Sequence, residues 1–201
     1  KYPTDGHGAV TNTVGIIQAR MGSTRLPEKV LMAIGGEPML WHVYERASHA
    51  SMLDDVVVAT TTEPEDDRIE AFCDERGIAC YRGSERDVLD RYYRVATAED
   101  ADPVVRITAD CPLLSPPVVD RVVRRHETSG ASYVSNTIRY THPDGLDVEA
   151  FDFSALDAAW RDATDSRHRE HVTRYIVESE EFETENVENV GRLPAAKGWP
   201  C

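Results

Sequence analysis

Residues 14–30, VGIIQARMGSTRLPEKV, join an apolar run to a polar loop that is rich in cations. The apolar run predicts a buried β-strand. The loop that follows contains the phosphate-binding candidates Ala19, Arg20, Gly22, Ser23, Arg25 and Lys29. Arginine can grip phosphate oxygens through two hydrogen bonds, and glycine allows backbone N–H groups to approach closely. The spacing matches neither G-x-x-x-x-G-K-[ST] nor G-x-G-x-x-G. The stretch therefore predicts a phosphate loop of a third type, with a solvated basic turn as the alternative.

The rest of the chain alternates between strand-like and helix-like segments. Apolar runs predict strands at residues 14–19, 56–60, 78–81, 104–107 and 132–135. Apolar spacing and cap residues predict helices at 38–47, 62–76, 85–98 and 115–128, followed less regularly by a loop at 139–146, a strand at 148–151 and helices at 153–163 and 166–178. Thr62 and Glu65 form a predicted capping box for the second helix. This order predicts an α/β fold with three layers, α/β/α, and a mostly parallel, Rossmann-like sheet.

The length of 201 residues fits one substantial domain. We expect a flexible N-terminal arm at residues 1–13, a single domain at 14–190 and an irregular tail at 191–201. The first residues are polar and show no signal-peptide pattern, and no run approaches the ~18 apolar residues of a membrane helix. The four cysteines show no C-x-x-C or zinc spacing, which favours buried thiols in a reducing cytoplasm.

The net charge of −14 predicts a surface that repels nucleic acid and anionic membranes. Lys29 is the sole lysine between residues 2 and 196, whereas arginine is plentiful. An acidic, lysine-poor surface indicates adaptation to high salt, and the alternative is an ordinary acidic protein from a GC-rich genome. The cations of the loop after the first strand run against this overall charge, which strengthens their interpretation as a binding feature.

Two further motifs place carboxylates where strands are expected to end or begin. In TADCPL, residues 108–113, Asp110 directly follows an apolar strand, where Mg²⁺ could join it to phosphate oxygens. Capping of a turn is the alternative role for Asp110. In PDGLDVE, residues 143–149, Asp147 and Glu149 are expected to project from one face of a short strand and to hold a metal or sugar hydroxyls. A hairpin turn at Asp144 and Gly145 is the alternative there. His168 and His171 fit a contact face better than a metal pair.

The pattern A-R-x-G-S-x-R-L-P-x-K resembles the signature of the cytidylyltransferases that activate sugar acids, the CMP-sialate and CMP-ketodeoxyoctonate synthetase group. The agreement is best with the spore coat polysaccharide biosynthesis protein F branch. The resemblance runs from about residue 14 to residue 177 and includes further stretches at 57–67, 81–92, 105–113, 133–137, 143–149 and 169–173. It implies that the mostly parallel, Rossmann-like sheet is of the nucleotide-diphospho-sugar transferase type.

The resemblance also implies roles for the motifs. Mg²⁺ is expected on Asp110, and Thr108 precedes it in the nucleotide site. The family reads the nucleobase after the third strand, where Arg82 and Ser84 could supply a donor and an acceptor; an N-cap role for Ser84 is the alternative. The acceptor sugar is expected at Asp144, Asp147 and Glu149. Relatives usually continue into a V-D-x-P-E-D segment that can supply a second metal aspartate, and nothing similar follows Val190. Two alternatives are open: the chain is truncated, or another residue, with Asp147 as the candidate, replaces that ligand.

These observations favour nucleotidyl transfer, from CTP to a sugar or sugar acid, with Mg²⁺ as the cofactor. Arg20, Lys29 and Asp110 are the expected catalytic residues. Two other classes stay open: a nucleotide- or sugar-binding module without catalysis, and a glycosyltransferase that uses a finished nucleotide sugar. We expect no nucleic-acid or membrane partner, and a homodimer is left open.

Overall fold

The structure is a computed structural model that describes residues 11–22 and 26–189. Its strands are β1 (Val14–Gln18), β2 (Ala33–Ile34), β3 (Glu37–Pro38), β4 (Asp55–Thr61), β5 (Cys80–Gly83), β6 (Val104–Thr108), β7 (Tyr133–Ser135), β8 (Glu149–Phe151) and β9 (Thr184–Asn186). Its α-helices are α1 (Met39–Ser48), α2 (Asp67–Arg76), α3 (Val88–Ala98), α4 (Pro116–Ser129), α5 (Phe153–Asp162), α6 (Ser166–Glu170) and α7 (Arg174–Glu178). None of the helices in these residues is both long and apolar enough to cross a bilayer.

Seven strands form one sheet in the order β5-β4-β1-β6-β8-β7-β9. Strand β1 pairs in parallel with both β4 and β6, and β8 is antiparallel to its neighbours β6 and β7. The mostly parallel sheet confirms the predicted fold class. The chain moves outward from β1 through β4 to β5 and then returns to the other side of β1 with β6. This change of direction opens a crevice at the carboxyl ends of β1 and β6, where ligands bind in open α/β sheets.

Helices cover both faces of the sheet and give the predicted three layers. Alternate residues of β1 point to opposite sides, so that Ile17 packs in one core and Ile16 in the other. Helices α1, α2 and α4 cover the Ile17 side, whereas α3, α5 and α7 cover the Ile16 side. Strands buried on both faces read as nearly continuous apolar runs, which explains why β1, β4 and, apart from Arg106, β6 are recognisable in the sequence.

Helix α2 differs from its prediction at its start. The capping box of Thr62 and Glu65 is wrong, because residues 64–66 form a 3₁₀ turn with no side-chain cap and α2 begins at Asp67. At the other end Gly77 adopts φ 66° and ends the helix as predicted. The N–H of Ile78 then bonds to the carbonyl of Cys73 at 2.9 Å, so Ile78 belongs to the helix end. Strand β5 consequently begins at Cys80, two residues later than predicted.

The predicted helix at 166–178 is wrong as a single element, because it divides into α6 and α7 around an extended His171. The break turns Val172 into the core and lets Thr173 donate to Glu149 at 2.6 Å. Strand β9 and the small β2–β3 hairpin were not predicted. The predicted tail at 191–201 and residues 1–10 of the predicted arm lie outside the described residues. Within that arm, Thr13 donates its N–H to Asp54 at 2.8 Å.

Candidate active site

Two adjoining cavities open at the carboxyl ends of β1 and β6, and Arg106 lines both. The basic cavity has a volume of about 530 Å³ and is lined by arginines together with Gln18, Glu85, Glu170 and His171. The acidic cavity has a volume of about 510 Å³, and its polar lining includes Thr108, Asp110, Asp144, Asp147 and Glu149. The structure thus brings the carboxylates of both predicted motifs into one hollow, beside a second hollow of opposite charge.

The loop after β1 is fixed at both of its ends. The N–H of Ala19 donates to the carbonyl of Ala59 at 3.1 Å, which continues the β1–β4 ladder. The N–H of Met21 donates to the buried carboxylate of Asp66 at 2.7 Å. The N–H of Glu28 then donates to the carbonyl of Met21 at 3.0 Å and closes the loop. Residues 19–22 and 26–28, on the two sides of the loop, are therefore anchored beside the end of β1, and Lys29 follows directly from this anchor.

Other members of the predicted phosphate loop are placed as follows. Arg20 is exposed, lines the basic cavity and donates to Glu85 at 3.3 Å. At Gly22 an added Cβ would lie 2.8 Å from a carboxylate oxygen of Glu65, so the backbone runs close against that side chain. Ser23 and Arg25 lie outside the described residues.

Lys29 and Asp110 form the direct link between the two sequence motifs. The ammonium of Lys29 donates to Asp110 Oδ2 at 2.8 Å, although 81 residues separate the two along the chain. Burial would raise the pKa of Asp110, but hydrogen bonds from the side chains of Lys29 and Thr108 outweigh it and hold the pKa below its usual value. Asp110 is therefore an anion at neutral pH in the wall of the acidic cavity.

The acidic cavity concentrates negative charge around Asp147. Burial and the neighbouring carboxylates of Asp144, Glu149 and Asp110 raise the pKa of Asp147, and only Arg106 opposes them. Asp147 lies just before β8 and not on it, so the prediction that it shares a strand with Glu149 is wrong. Both side chains still face the same cavity. Asp144 and Gly145 form a turn in the long connection between β7 and β8, which are antiparallel neighbours.

The carboxylate of Glu149 is bound by three other side chains of the protein. Its carboxylate pairs with Arg106 and accepts hydrogen bonds from Tyr133 at 2.9 Å and from Thr173 at 2.6 Å. The residue is only 8% exposed, and a buried carboxylate needs such partners. Glu149 therefore fixes the guanidinium of Arg106 at the boundary of the two cavities.

Neither Arg82 nor Ser84 is among the residues that line the two cavities. The carbonyl of Ser84 nevertheless accepts a hydrogen bond from Arg91, which lines the basic cavity, at 2.8 Å. The guanidinium of Arg82 donates to the carbonyls of Thr61 and Glu63 and pairs with two carboxylates at the start of α2. Ser84 is exposed, and its hydroxyl accepts from the N–H of Asp87 at 3.0 Å. The N-cap of α3 is Asp87, which accepts from the N–H of Asp90 at 2.9 Å, so the alternative N-cap role of Ser84 is wrong.

The donor set suits a hard divalent cation that is completed by a ligand. No group of three or more His, Cys, Asp or Glu side chains in residues 11–22 and 26–189 is arranged to hold a metal. Asp110 and Asp147 nevertheless share the acidic cavity, and Asp110 helps to raise the pKa of Asp147. Mg²⁺ characteristically takes one or two protein carboxylates and fills its other positions with phosphate oxygens and water. The residues present fit that pattern.

Sequence reasoning missed the arginines beneath the loop. Arg91 is 1% exposed on α3, and Arg106 stands between buried residues of β6. Both break an otherwise apolar pattern: Arg91 lies three residues after buried Val88, on the apolar face of α3. The sequence signal for both residues was an arginine at a position that the apolar pattern assigns to the buried face of a helix or of a central strand. His171, predicted to lie on a contact face, lines the basic cavity, and His168 pairs with Glu178 at 2.9 Å.

Comparison with known proteins gives a consistent result. A family model described as Cytidylyltransferase matches residues 14–190. An uncharacterized protein of Methanocaldococcus jannaschii is 44% identical over 168 residues, which cover 83% of this chain and 67% of that protein. The spore coat polysaccharide biosynthesis protein SpsF of Bacillus subtilis is 37% identical over 166 residues, covering 80% of this chain and 68% of SpsF.

Solved structures agree with these relatives. A cytidylyltransferase from Leptospira borgpetersenii superposes with a TM-score of 0.84 at 32% identity, covering 90% of this chain and 77% of that one. A CMP:2-keto-3-deoxy-manno-octonic acid synthetase solved with CTP shares the fold, with a TM-score of 0.69 at 19% identity over 89% of this chain and 90% of that one. The family match spans nearly the whole described region, including the loop after β1 and both cavities. The chain therefore belongs to the cytidylyltransferase family.

Proposed function

We propose that this protein transfers a cytidylyl group from CTP to a sugar or sugar acid and releases pyrophosphate, in the synthesis of a surface polysaccharide or another glycan. The observation that carries the proposal is the contact between Lys29 and Asp110 at the switch point of the sheet. It joins a cationic loop for phosphates to a carboxylate that can hold a divalent cation. Enzymes that act on nucleoside triphosphates need both groups within reach of the same phosphates.

In the proposed reaction a hydroxyl oxygen of the acceptor attacks the α-phosphorus of CTP. A new phosphorus–oxygen bond forms, the bond to the β-phosphate breaks, the hydroxyl proton is lost, and pyrophosphate leaves. Arg20 and Lys29 hold the phosphates, with Ser23 and Arg25 from the same loop. Catalysis comes mainly from positioning and charge stabilisation, because the protein itself forms no bond to the phosphorus.

Asp110 is the proposed principal metal ligand, and Asp147 is the proposed second. Mg²⁺ bound there would neutralise charge on the phosphates. Asp147 suits this role because its carboxylate is crowded by other anions, so a cation relieves repulsion that the protein otherwise carries. Asp144 is exposed at the mouth of the same cavity and is available to acceptor hydroxyls. Because Glu149 is engaged by three protein groups, we assign it a positioning role.

The proposed nucleobase position is the turn after β5. Arg82 directs its guanidinium toward α2, so Ser84 and the backbone of the turn are the groups left for a pyrimidine edge. We further propose that the protein works in the cytoplasm, where CTP is made, and that it forms a homodimer. Light scattering on the purified protein tests the dimer.

The direct experiment measures pyrophosphate release from CTP, UTP and GTP with Mg²⁺ and a panel of sugar acids and neutral sugars. We expect release that requires CTP, the metal and a specific acceptor. CTP binding without turnover for every acceptor would favour a binding module. Transfer from a finished CMP-sugar, with no use of CTP, would favour a glycosyltransferase.

A further inference from the structure

Arg91 is a buried arginine whose guanidinium is only partly satisfied by the protein. The residue is 1% exposed and belongs to the otherwise apolar face of α3. Its Nε is buried and has no hydrogen-bond partner among the described residues. Burial lowers the pKa of Arg91, although the charges of Asp66 and Glu85 oppose this. Burying such a group is costly, and an apolar side chain of similar volume would fill the position without that cost. The guanidinium therefore indicates a specific task.

The contacts of Arg91 are made with the turn that follows β5. Its Nη1 donates to the carbonyl of Ser84 at 2.8 Å. Its stem packs against Gly83, where an added Cβ would lie 3.0 Å from Cγ and 3.2 Å from Cβ of Arg91. Glycine lets the backbone approach the arginine this closely, and a larger residue would require one of them to shift. Arg91 thus fixes both the position and the orientation of the peptide that joins Gly83 to Ser84.

The other contacts of this turn leave backbone groups available to a ligand. The hydroxyl of Ser84 accepts from the N–H of Asp87 at 3.0 Å. Within residues 11–22 and 26–189, the N–H groups of Glu85 and Arg86 have no hydrogen-bond partner. A carbonyl oxygen has two lone pairs, so that of Ser84 can accept from Arg91 and from one further donor. The turn therefore offers one fixed acceptor followed by free donors.

This order of groups is complementary to cytosine. The amino group of cytosine needs an acceptor, whereas its ring nitrogen and its carbonyl need donors. Uracil carries a carbonyl in place of the amino group and an N–H in place of the ring acceptor, so it would face the turn with like groups. A site built for hydrogen bonds discriminates strongly against a molecule that cannot make them, provided that its own groups are held in place.

We propose that Arg91 is a positioning residue for the nucleobase, which holds the carbonyl of Ser84 in the orientation that accepts a hydrogen bond from the amino group of cytosine. The location of the base at this turn rests on the proposed function, whereas the contacts of Arg91 with the turn do not. In this role Arg91 contacts no substrate. Arg20 and Glu85 line the same cavity as Arg91, so the turn lies beside the arginine proposed to hold the phosphates.

The binding test titrates CMP, UMP and tripolyphosphate against the protein while the melting temperature is recorded. Tripolyphosphate carries charge but no base. We expect CMP to stabilise the wild type more than UMP does. Arg91→Met keeps a stem of similar length and loses the hydrogen bond to Ser84. The variant should bind CMP about 10- to 100-fold more weakly, which is the loss of one charged hydrogen bond, and should bind tripolyphosphate as the wild type does.

Arg94→Met is the matched control for this test. Arg94 lies on the same helix, pairs with Asp90 at 2.7 Å and lines neither cavity, so its loss should leave the preference for CMP intact. Equal stabilisation of the wild type by CMP and UMP would overturn the proposal, because the turn would then not read the base. Weaker binding of tripolyphosphate in Arg91→Met would assign Arg91 to the phosphates and would also overturn it.

Gly83→Ala tests the same contact without altering Arg91, and it serves if Arg91→Met does not fold. The new methyl group would lie 3.0 Å from Cγ of Arg91 and should move the turn away from the arginine. We expect the preference for CMP over UMP to fall, with unchanged binding of tripolyphosphate. A folded Gly83→Ala protein that keeps the full preference would contradict the fit of the turn on Arg91.

Kinetic measurements separate the failure of this inference from the failure of the proposed function. With an acceptor that supports pyrophosphate release, Arg91→Met should raise the KM for CTP about 10- to 100-fold and leave the KM for the acceptor unchanged. If no acceptor supports release but the preference for CMP is present and depends on Arg91, the proposed reaction fails and the positioning role stands. Release from CTP with a normal KM in Arg91→Met would leave the reaction standing and refute the positioning role.

Discussion

Replacing Asp110 with asparagine keeps the shape of the side chain and removes one negative charge. The side chains of Lys29 and Asp110 are 29% and 41% exposed, so solvent screens their attraction. Ion pairs of this kind contribute about 0–1 kcal/mol to stability, even though the pKa of Asp110 is lowered. We therefore expect the free energy of unfolding to fall by less than about 1 kcal/mol. For a chain of this size, a full 1 kcal/mol would lower the melting temperature by about 2–4 °C, so the shift should be smaller than that.

The effect of Asp110→Asn on turnover should be far larger than its effect on stability. A preorganised charge aimed at the reacting phosphates contributes about 2.7–4 kcal/mol to the transition state, which corresponds to a rate loss of about 10²- to 10³-fold. Pyrophosphate release under saturating CTP, acceptor and Mg²⁺ measures this loss, and thermal unfolding measures stability on the same preparation. The two measurements together distinguish a chemical role from a structural one.

A matched ion pair provides the control for this prediction. Glu37 pairs with Arg76 at 2.6 Å with side-chain exposures of 43% and 34%, and neither residue lines the two cavities. Glu37→Gln should change stability as little as Asp110→Asn does and leave turnover intact. Near-normal Mg²⁺-dependent turnover in Asp110→Asn would refute the placement of Asp110 at the phosphates. A loss of several kcal/mol in stability would refute the reasoning from exposure.

Three other substitutions test the structure around the crevice. Asp66→Ala leaves the N–H of Met21 buried without its acceptor, and the free energy of unfolding in urea should fall by about 2–4 kcal/mol. The KM for CTP should rise, because the loop loses this anchor. An unchanged KM would show that the anchor does not shape the loop. Glu149→Gln leaves Arg106 without its charge partner, and the free energy of unfolding in urea should fall by about 3–5 kcal/mol. An unchanged stability would contradict the role of Glu149 as the buried partner of Arg106, Tyr133 and Thr173. Burial lowers the pKa of His142, so the unfolded chain binds the proton more readily, and stability should fall as the pH drops through the unfolded value of 6.5. His142→Gln should flatten that pH dependence in thermal unfolding, and an equally steep fall in the variant would assign it to other groups.

The sequence was most informative where one element was buried on both faces. Strands β1, β4 and β6 consist mainly of buried apolar residues, with Arg106 interrupting the run in β6. The polar residues that follow β1 and β6 lie at one edge of the sheet, as expected. Element ends were less accurate, because tertiary contacts decide them. The split at His171 depends on Thr173 reaching Glu149 on a strand that is 24 residues earlier. No local pattern in residues 166–178 predicts that contact.

Dependence on tertiary contacts also limits what the sequence predicts about the crevice. Asp110 and the loop after β1 could be found because each follows a recognisable strand. The contributions of Arg91 and Arg106 depend on which way a helix or strand face turns after packing. Arg82 shows the reverse case: its position after β5 predicted a ligand contact, but its guanidinium is turned toward the start of α2 by nearby carbonyls and carboxylates.

The contact between Lys29 and Asp110 has a consequence for how the two proposed ligands affect each other's binding. In the resting protein each group serves as the counterion of the other. A phosphate bound as proposed would compete with the carboxylate of Asp110 for the ammonium of Lys29, and a cation bound as proposed would compete with that ammonium for the carboxylate. Whichever ligand enters first leaves one of the two groups without its partner, and the second ligand satisfies it. Nucleotide and divalent cation should consequently strengthen each other's binding by the same factor, since such coupling is reciprocal.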